Sequence, residues 1–190
     1  MNRNIVAIIP ARGGSKRIKN KNLLSILNKP LIDYTLDQAN KSKFLKDFFV
    51  SSDDELILDY VRSKNFKVIK RPKSISKDTS SSESVLKFSS DYIEKHYFNI
   101  DDIMMLQCTS PIRKTKDIDK AIDMYINEKG DSLVSVIQNT RFFWEFENNI
   151  MKSINYDYKK RPRSQELRFQ YMETGSIYIT NKNLLNKTSN

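Results

Sequence analysis

Ile5-Val6-Ala7-Ile8-Ile9-Pro10-Ala11-Arg12-Gly13-Gly14-Ser15-Lys16-Arg17-Ile18-Lys19-Asn20-Lys21-Asn22 decides how the rest of the chain is read. Its first five residues are all apolar, the pattern of a strand buried on both faces of a parallel sheet. Pro10 ends that run. The loop that follows is polar and carries two glycines and five basic residues. Glycine lets backbone N–H groups approach an anion with no side chain in the way, and Arg and Lys supply the charge a polyphosphate needs. A solvated basic loop has the same composition, so residue types alone leave both readings open. The loop holds neither the GxxxxGK[ST] pattern nor a dinucleotide fingerprint.

Outward from this stretch, strands and helices alternate. Pro30 fits the first turn of a helix with Leu31, Ile32, Thr35, Leu36 and Ala39 on one face. Phe48-Phe49-Val50 reads as the next strand, stopped by Ser51-Ser52-Asp53-Asp54. An acidic start then opens a helix with Leu56, Ile57, Tyr60 and Val61 inward. Lys67-Val68-Ile69 is a short third strand. Residues 82–96 form a helix with Val85, Leu86, Ser89, Tyr92 and Ile93 on one face. Residues 103–106 form a strand. Thr115 caps a helix carrying Ile118, Ala121, Ile122, Tyr125 and Ile126. Residues 132–137 and 176–179 are the last strands, and residues 139–170 are irregular. This order predicts a doubly wound, Rossmann-like α/β fold, with a mostly parallel sheet and helices on both faces. Ligands in such folds sit beyond the carboxyl ends of the strands, where loops begin at Ala11, Ser51, Arg71, Gln107 and Asn139. The expectation is one domain over 1–190, with 139–170 projecting from the sheet.

Hydrophobic residues make up 38% of the chain, enough for a globular core. The net charge of +10 suits nucleic acid, an anionic membrane or a phosphorylated substrate, or reflects composition alone. No zinc spacing and no RNA-binding aromatic motif accompanies it, which places nucleic acid last. The opening apolar run is too short for a membrane span or a signal core, so no membrane partner is expected. Cys108 is the one cysteine, which rules out a disulfide within the chain and favours a cytoplasmic location.

Five segments together resemble a known family. They are Ile9 to Lys16 with Lys21-Asn22, Val50 to Glu55, Arg71-Pro72 with Ser76 to Ser82, Leu106-Gln107-Cys108-Thr109-Ser110-Pro111-Ile112-Arg113, and Arg161-Pro162-Arg163-Ser164-Gln165 followed by Gly175 to Tyr178. In this order they resemble the acylneuraminate cytidylyltransferases, or CMP-sialic acid synthetases, over nearly all of residues 4–180. The resemblance implies transfer of CMP from CTP to a nonulosonic, sialic-acid-like sugar with release of pyrophosphate. It implies that Arg12, Gly13, Gly14, Ser15, Lys16, Lys21, Asn22, Arg71, Ser80 and Ser82 hold the nucleotide. Gln107, Thr109, Ser110, Arg163, Gln165, Thr174 and Tyr178 are implied at the sugar, with Arg163 and Lys21 in catalytic roles. It also implies Mg2+ as cofactor and a homodimer formed through 139–170. Which nonulosonic acid is used stays open. The Gly-Gly-Ser-Lys pattern sets the chain apart from the related Kdo synthetases.

The sequence departs from that family at several points. A Ser-x-Asp-x-Asp segment, whose carboxylates hold the metal in the family, is absent from residues 1–190. The expectation is a truncated chain with poor turnover, and the alternative is a non-catalytic relative that binds nucleotide or pairs with another subunit. Truncation would leave the Ile177 and Ile179 strand as an open edge. Thr174 stands in place of a frequent asparagine, Arg17 of a glycine and Lys19 of a proline. Asp53, Asp54 and Asp78 read as helix-start or turn residues rather than substitute metal ligands. His96 reads as solvated and Cys108 as a small packed side chain. Phe142, Phe143, Trp144 and Phe146 read as core or subunit interface.

Overall fold

The opening apolar run forms β1 (Ile5–Pro10), and its first five side chains are all buried. A computed structural model describes residues 3–16 and 18–188, so Arg17 lies outside the described residues. After β1 come a short hairpin of β2 (Ser25–Ile26) and β3 (Lys29–Pro30), then α1 (Leu31–Asn40), β4 (Asp47–Ser52), α2 (Glu55–Ser63) and β5 (Val68–Lys70). The chain continues through α3 (Ser82–His96), β6 (Asp102–Leu106), α4 (Thr115–Asn127), β7 (Ser132–Asn139), β8 (Trp144–Glu147), β9 (Ile150–Ser153), β10 (Gln170–Asn181) and α5 (Lys182–Thr188). The main sheet has the order β5-β4-β1-β6-β10-β7. β1 pairs in parallel with β4 and with β6, β4 pairs in parallel with β5, and β10 runs antiparallel to β6.

The alternation of side chains along buried strands sends neighbours to opposite faces. Ile5, Ala7 and Ile9 of β1, with Met104 and Leu106 of β6, join Ile32 and Leu36 of α1 and Ile118 and Ile122 of α4. Val6, Ile8, Ile103 and Met105 join Leu86 and Ile93 of α3 and Leu185 of α5 on the other face. The doubly wound expectation therefore holds, with one core on each side of the sheet. From β5 the chain crosses back to lay β6 beside β1. The carboxyl ends of β1 and β6 thus form the switch point where such sheets bind ligands.

Several local expectations are corrected. Leu56 is 66% exposed, and Leu58 is buried in its place beside Ile57 and Val61. Asp54 sets this phase by capping α2, its carboxylate accepting from Leu56 N–H at 2.8 Å. Lys114, not Thr115, is the residue before α4, and its N–H donates to Asp117 at 2.8 Å. The Thr115 hydroxyl instead donates to the Gln38 side-chain amide oxygen at 2.6 Å. Ile177 and Ile179 are not at an edge: β10 lies between β6 and β7, and both side chains are buried. β7 is the edge strand on that side, with Val134, Val136 and Ile137 exposed. No helix among the described residues is long and apolar enough to cross a membrane.

The chain divides into two compact units, residues 1–135 with 175–190, and residues 136–174. The second unit is less irregular than its sequence suggested. β8 and β9 pair in antiparallel fashion across Asn148 and Asn149, both with positive φ. Two left-handed residues are what a tight hairpin turn of primed type requires, and Asn tolerates that conformation. Phe142 and Trp144 both meet Tyr156 edge-on, and the Arg161 guanidinium lies 4.2 Å over the Phe142 ring. Asn155 ties the unit together, accepting from Phe143 N–H and donating to Arg141 O.

Candidate functional site

A cavity of about 270 Å³ opens at the switch point. Three segments line it, each leaving the carboxyl end of a parallel strand: Pro10 to Asn22 after β1, Arg71 to Val85 after β5, and Met105 to Thr109 at the end of β6. Arg12, Ser15, Lys21, Asn22, Arg71, Ser80, Ser82, Gln107 and Thr109 of the expected site residues all line it. Separations of up to about a hundred positions in the sequence thus collapse into one volume.

The first loop is held in shape from below. Ala11 N–H donates to Ser51 O at 3.0 Å, and the buried Asn22 amide donates to Arg12 O at 3.1 Å. Gly13 N–H donates to Asp53 at 3.3 Å. A Cβ on Gly13 would stand 2.1 Å from Asp54 Oδ2, so this glycine is required by the second loop pressing on the first. Gly14 has open space around it. Gly13 therefore has a packing reason independent of any anion, one that local sequence could not reveal.

The cations are arranged unequally. Arg71 is 5% exposed, and its Nη2 reaches Asp53 only at 3.7 Å. Among the described residues its Nε has no hydrogen-bond partner. Burial lowers the Arg71 guanidinium from its usual value, Asp53 opposes that, and Arg12 adds repulsion. Arg12 and Lys16 are both ion-paired with Asp78, one on each carboxylate oxygen. The N-terminus of α3 also borders the cavity through Ser81 and Ser82, and a helix N-terminus favours negative charge. Ser81 caps that helix by accepting from Ser84 N–H at 3.1 Å.

The sugar-side residues divide. Ser110 donates its hydroxyl proton to Gly175 O at 2.9 Å. Gly175, at φ 64, lets β10 pass close to Gln107, since a Cβ there would lie 3.3 Å from Gln107 Oε1. Tyr178 is partly buried against the core that contains α3. Arg163, Gln165 and Thr174 belong to the second unit, where all three are exposed.

Asp54 is the one suspected cap that caps. Asp53 lies in the bend before α2 and Asp78 in a turn, as read from the sequence, and in addition Asp53 meets Gly13 and Arg71 while Asp78 meets Arg12 and Lys16. Among the described residues no three His, Cys, Asp or Glu side chains converge as metal ligands. The described residues therefore form no three-ligand metal site on their own. Cys108 is buried, and that burial pushes its thiol up to about 12, which keeps it protonated and suits a packing role. His96 is exposed, with its ring 4.5 Å from that of Tyr92.

Comparison with known proteins adds to this geometry. A family model described as Cytidylyltransferase matches residues 6–188. An N-acylneuraminate cytidylyltransferase of Streptococcus agalactiae serotype III is 35% identical over 93% of this chain. The match spans only 43% of that relative's length. A pseudaminic acid cytidylyltransferase of Campylobacter jejuni is 31% identical over 92% of this chain and 77% of its own length. The solved structure of a CMP:2-keto-3-deoxy-manno-octonic acid synthetase complexed with CTP superposes with a TM-score of 0.74. It covers 98% of this chain and 77% of its own, at 20% identity, a likeness of fold alone.

Proposed function

We propose that this chain, which belongs to the cytidylyltransferase family, transfers CMP from CTP to a nonulosonic, sialic-acid-like sugar. The observation that carries this reading is Arg71: a buried guanidinium facing a cavity, with an unpartnered Nε and only a long contact to Asp53. A buried cation left so poorly paired is a ready site for a phosphate. Lys21 and Arg12 line the same volume, and Ser80 and Ser82 offer hydroxyls that both donate and accept, which suits a cytosine edge.

In the proposed reaction the anomeric hydroxyl oxygen bonds to the α-phosphorus of CTP. The bond from that phosphorus to the bridging oxygen breaks, pyrophosphate leaves, and the hydroxyl proton is lost to the surroundings. The protein's part is positioning and charge neutralisation. Arg12, Lys16 and Lys21 are assigned to the triphosphate. Gln107, Thr109, Ser110 and Tyr178 are assigned to the sugar, with Arg163, Gln165 and Thr174 of the second unit. A forked guanidinium such as Arg163 matches a sugar carboxylate. Magnesium belongs to this proposal as an ion that neutralises phosphate charge, and no step is assigned through a protein-held metal. A cytoplasmic location belongs to it as well.

Calorimetric titration with CTP tests the reading. Arg12→Ala should weaken binding by about 1.5–3 kcal/mol, the loss of one charge-assisted contact. Equal affinity in both proteins, or preference for ATP over CTP, would refute it. Dimerisation through 139–170 draws support from Phe143, Trp144 and Phe146, all exposed within the second unit. Light scattering at micromolar concentration should return twice the monomer mass, and a monomer would refute that part.

A further inference from the structure

Asp78 stands apart from the other carboxylates near the cavity. Asp53 is part of the frame, since it accepts Gly13 N–H and faces Arg71. Asp54 caps α2. Asp78 does neither. It sits in a turn closed by Ser80 N–H donating to Lys77 O and Lys77 N–H donating to the Ser80 hydroxyl. Among the described residues its carboxylate meets only Arg12 and Lys16, one cation on each oxygen. Its side chain remains 34% exposed, and the residue lines the cavity together with Arg12.

Two cations on two oxygens of one anion is the arrangement expected of a phosphate group in that place. A carboxylate with one negative charge here occupies what a triphosphate with about four would claim. We infer that Asp78 is an internal counter-anion that competes with CTP, and afterwards with pyrophosphate, for Arg12 and Lys16. The inference rests on the nucleotide-binding reading above and deepens it. Asp78 keeps the basic loop ordered and its charge offset while the cavity holds no anion, and it yields when one enters. After transfer it competes again, which favours departure of pyrophosphate, the product that would otherwise be held by the same cations. The Lys16 and Arg12 pairs hold the Asp78 carboxyl below the usual carboxylate range, so it stays charged through neutral pH. Its partial exposure means that swinging aside needs no rearrangement of buried packing.

The test is calorimetric titration of the full chain with inorganic pyrophosphate and with CTP, each in magnesium-containing and magnesium-free buffer. Asp78→Asn should bind pyrophosphate roughly threefold to tenfold tighter than wild type, the scale of two exposed ion pairs removed from competition. Asp78→Ser should match it, and Asp78→Glu should stay near wild type. The gain should shrink as salt screens the exposed charges, and it should shrink in an Arg12→Ala background. Unchanged or weaker pyrophosphate binding by both neutral variants would overturn the inference. So would a loss confined to magnesium buffer, which would make Asp78 a ligand of the phosphate-bound ion. If wild type binds neither anion, the nucleotide-binding reading fails and takes this inference with it. If wild type binds both and the neutral variants gain nothing, the inference alone fails.

Discussion

Among the described residues two guanidinium groups are buried in the same unit, Arg71 at 5% exposure beside the cavity and Arg113 at 6% beneath the loop that follows β6. Arg113 is surrounded by fixed oxygens. Its Nη1 donates to Gln107 O at 3.3 Å and Ser176 O at 2.9 Å, and its Nη2 donates to the Thr35 hydroxyl at 2.9 Å. Burial lowers it to about 10. Arg71 has only the 3.7 Å contact to Asp53. In both, Nε lacks a partner, so that feature alone does not separate a brace from a binding group. What separates them is where the remaining N–H groups go. Arg113 spends them on joining α1, the Gln107 loop and β10. Arg71 lines the cavity and makes no such set of bonds among the described residues.

Arg113→Ala should have the largest effect. It would remove the hydrogen bonds to two backbone carbonyls and to the Thr35 and Ser176 hydroxyls, and although the carbonyls keep their bonds from Ser110 and Gln107 N–H, each lost bond costs on the order of 1 kcal/mol. With partial relaxation, stability to urea should fall by about 3 kcal/mol. A loss below about 1 kcal/mol, well under the cost of breaking such a network, would show that Arg113 is not a brace. Arg71→Ala should do the reverse. CTP affinity should drop by about 2 kcal/mol, roughly thirtyfold, while unfolding stability stays within about 1 kcal/mol of wild type. A stability loss equal to that of Arg113→Ala would collapse the distinction.

The difference between the two arginines was invisible in the sequence, where each simply follows an apolar strand. What could be read was whatever depends on near neighbours: the all-apolar β1, the basic loop that follows it, and the helix faces of α1 and α3. The loops that line the cavity were legible because a parallel sheet puts every such loop at one end. Pairings between distant segments were not. Asp78 meets Arg12 across 66 positions, and Gly13 owes its identity to Asp54. The hairpin of β8 and β9 was missed for a different reason. Its signal, Trp144-Glu145-Phe146-Glu147 alternating before Asn148-Asn149, is short and lies in a segment otherwise without period. Leu56 was placed inward because an apolar residue at a helix start fits either phase until the cap is known.

A third kind of charge lies away from the cavity, and its removal should have the smallest effect. Glu94 of α3 pairs with Lys182 of α5 and accepts Ile100 N–H at 3.0 Å, so it neither lines the cavity nor braces its loops. Burial pulls its carboxyl upward, but the Lys182 and Ile100 contacts outweigh burial and leave it below its usual value. A carboxyl depressed in the folded state stabilises above its unfolded pKa, and that contribution is lost as pH falls through the folded value. Glu94→Gln keeps the shape and removes the charge. It should lower stability at pH 7 by about 1 kcal/mol, as for a half-screened ion pair. The gap to wild type should then narrow as pH drops below about 4, where the wild-type carboxyl also becomes neutral. CTP affinity at pH 7 should not change. A gap that widens toward acid would mean that the folded carboxyl is raised rather than lowered. A change in CTP affinity would mean that charge reaches the cavity through α3, and that only the oxygens around Arg113 insulate a buried cation from it.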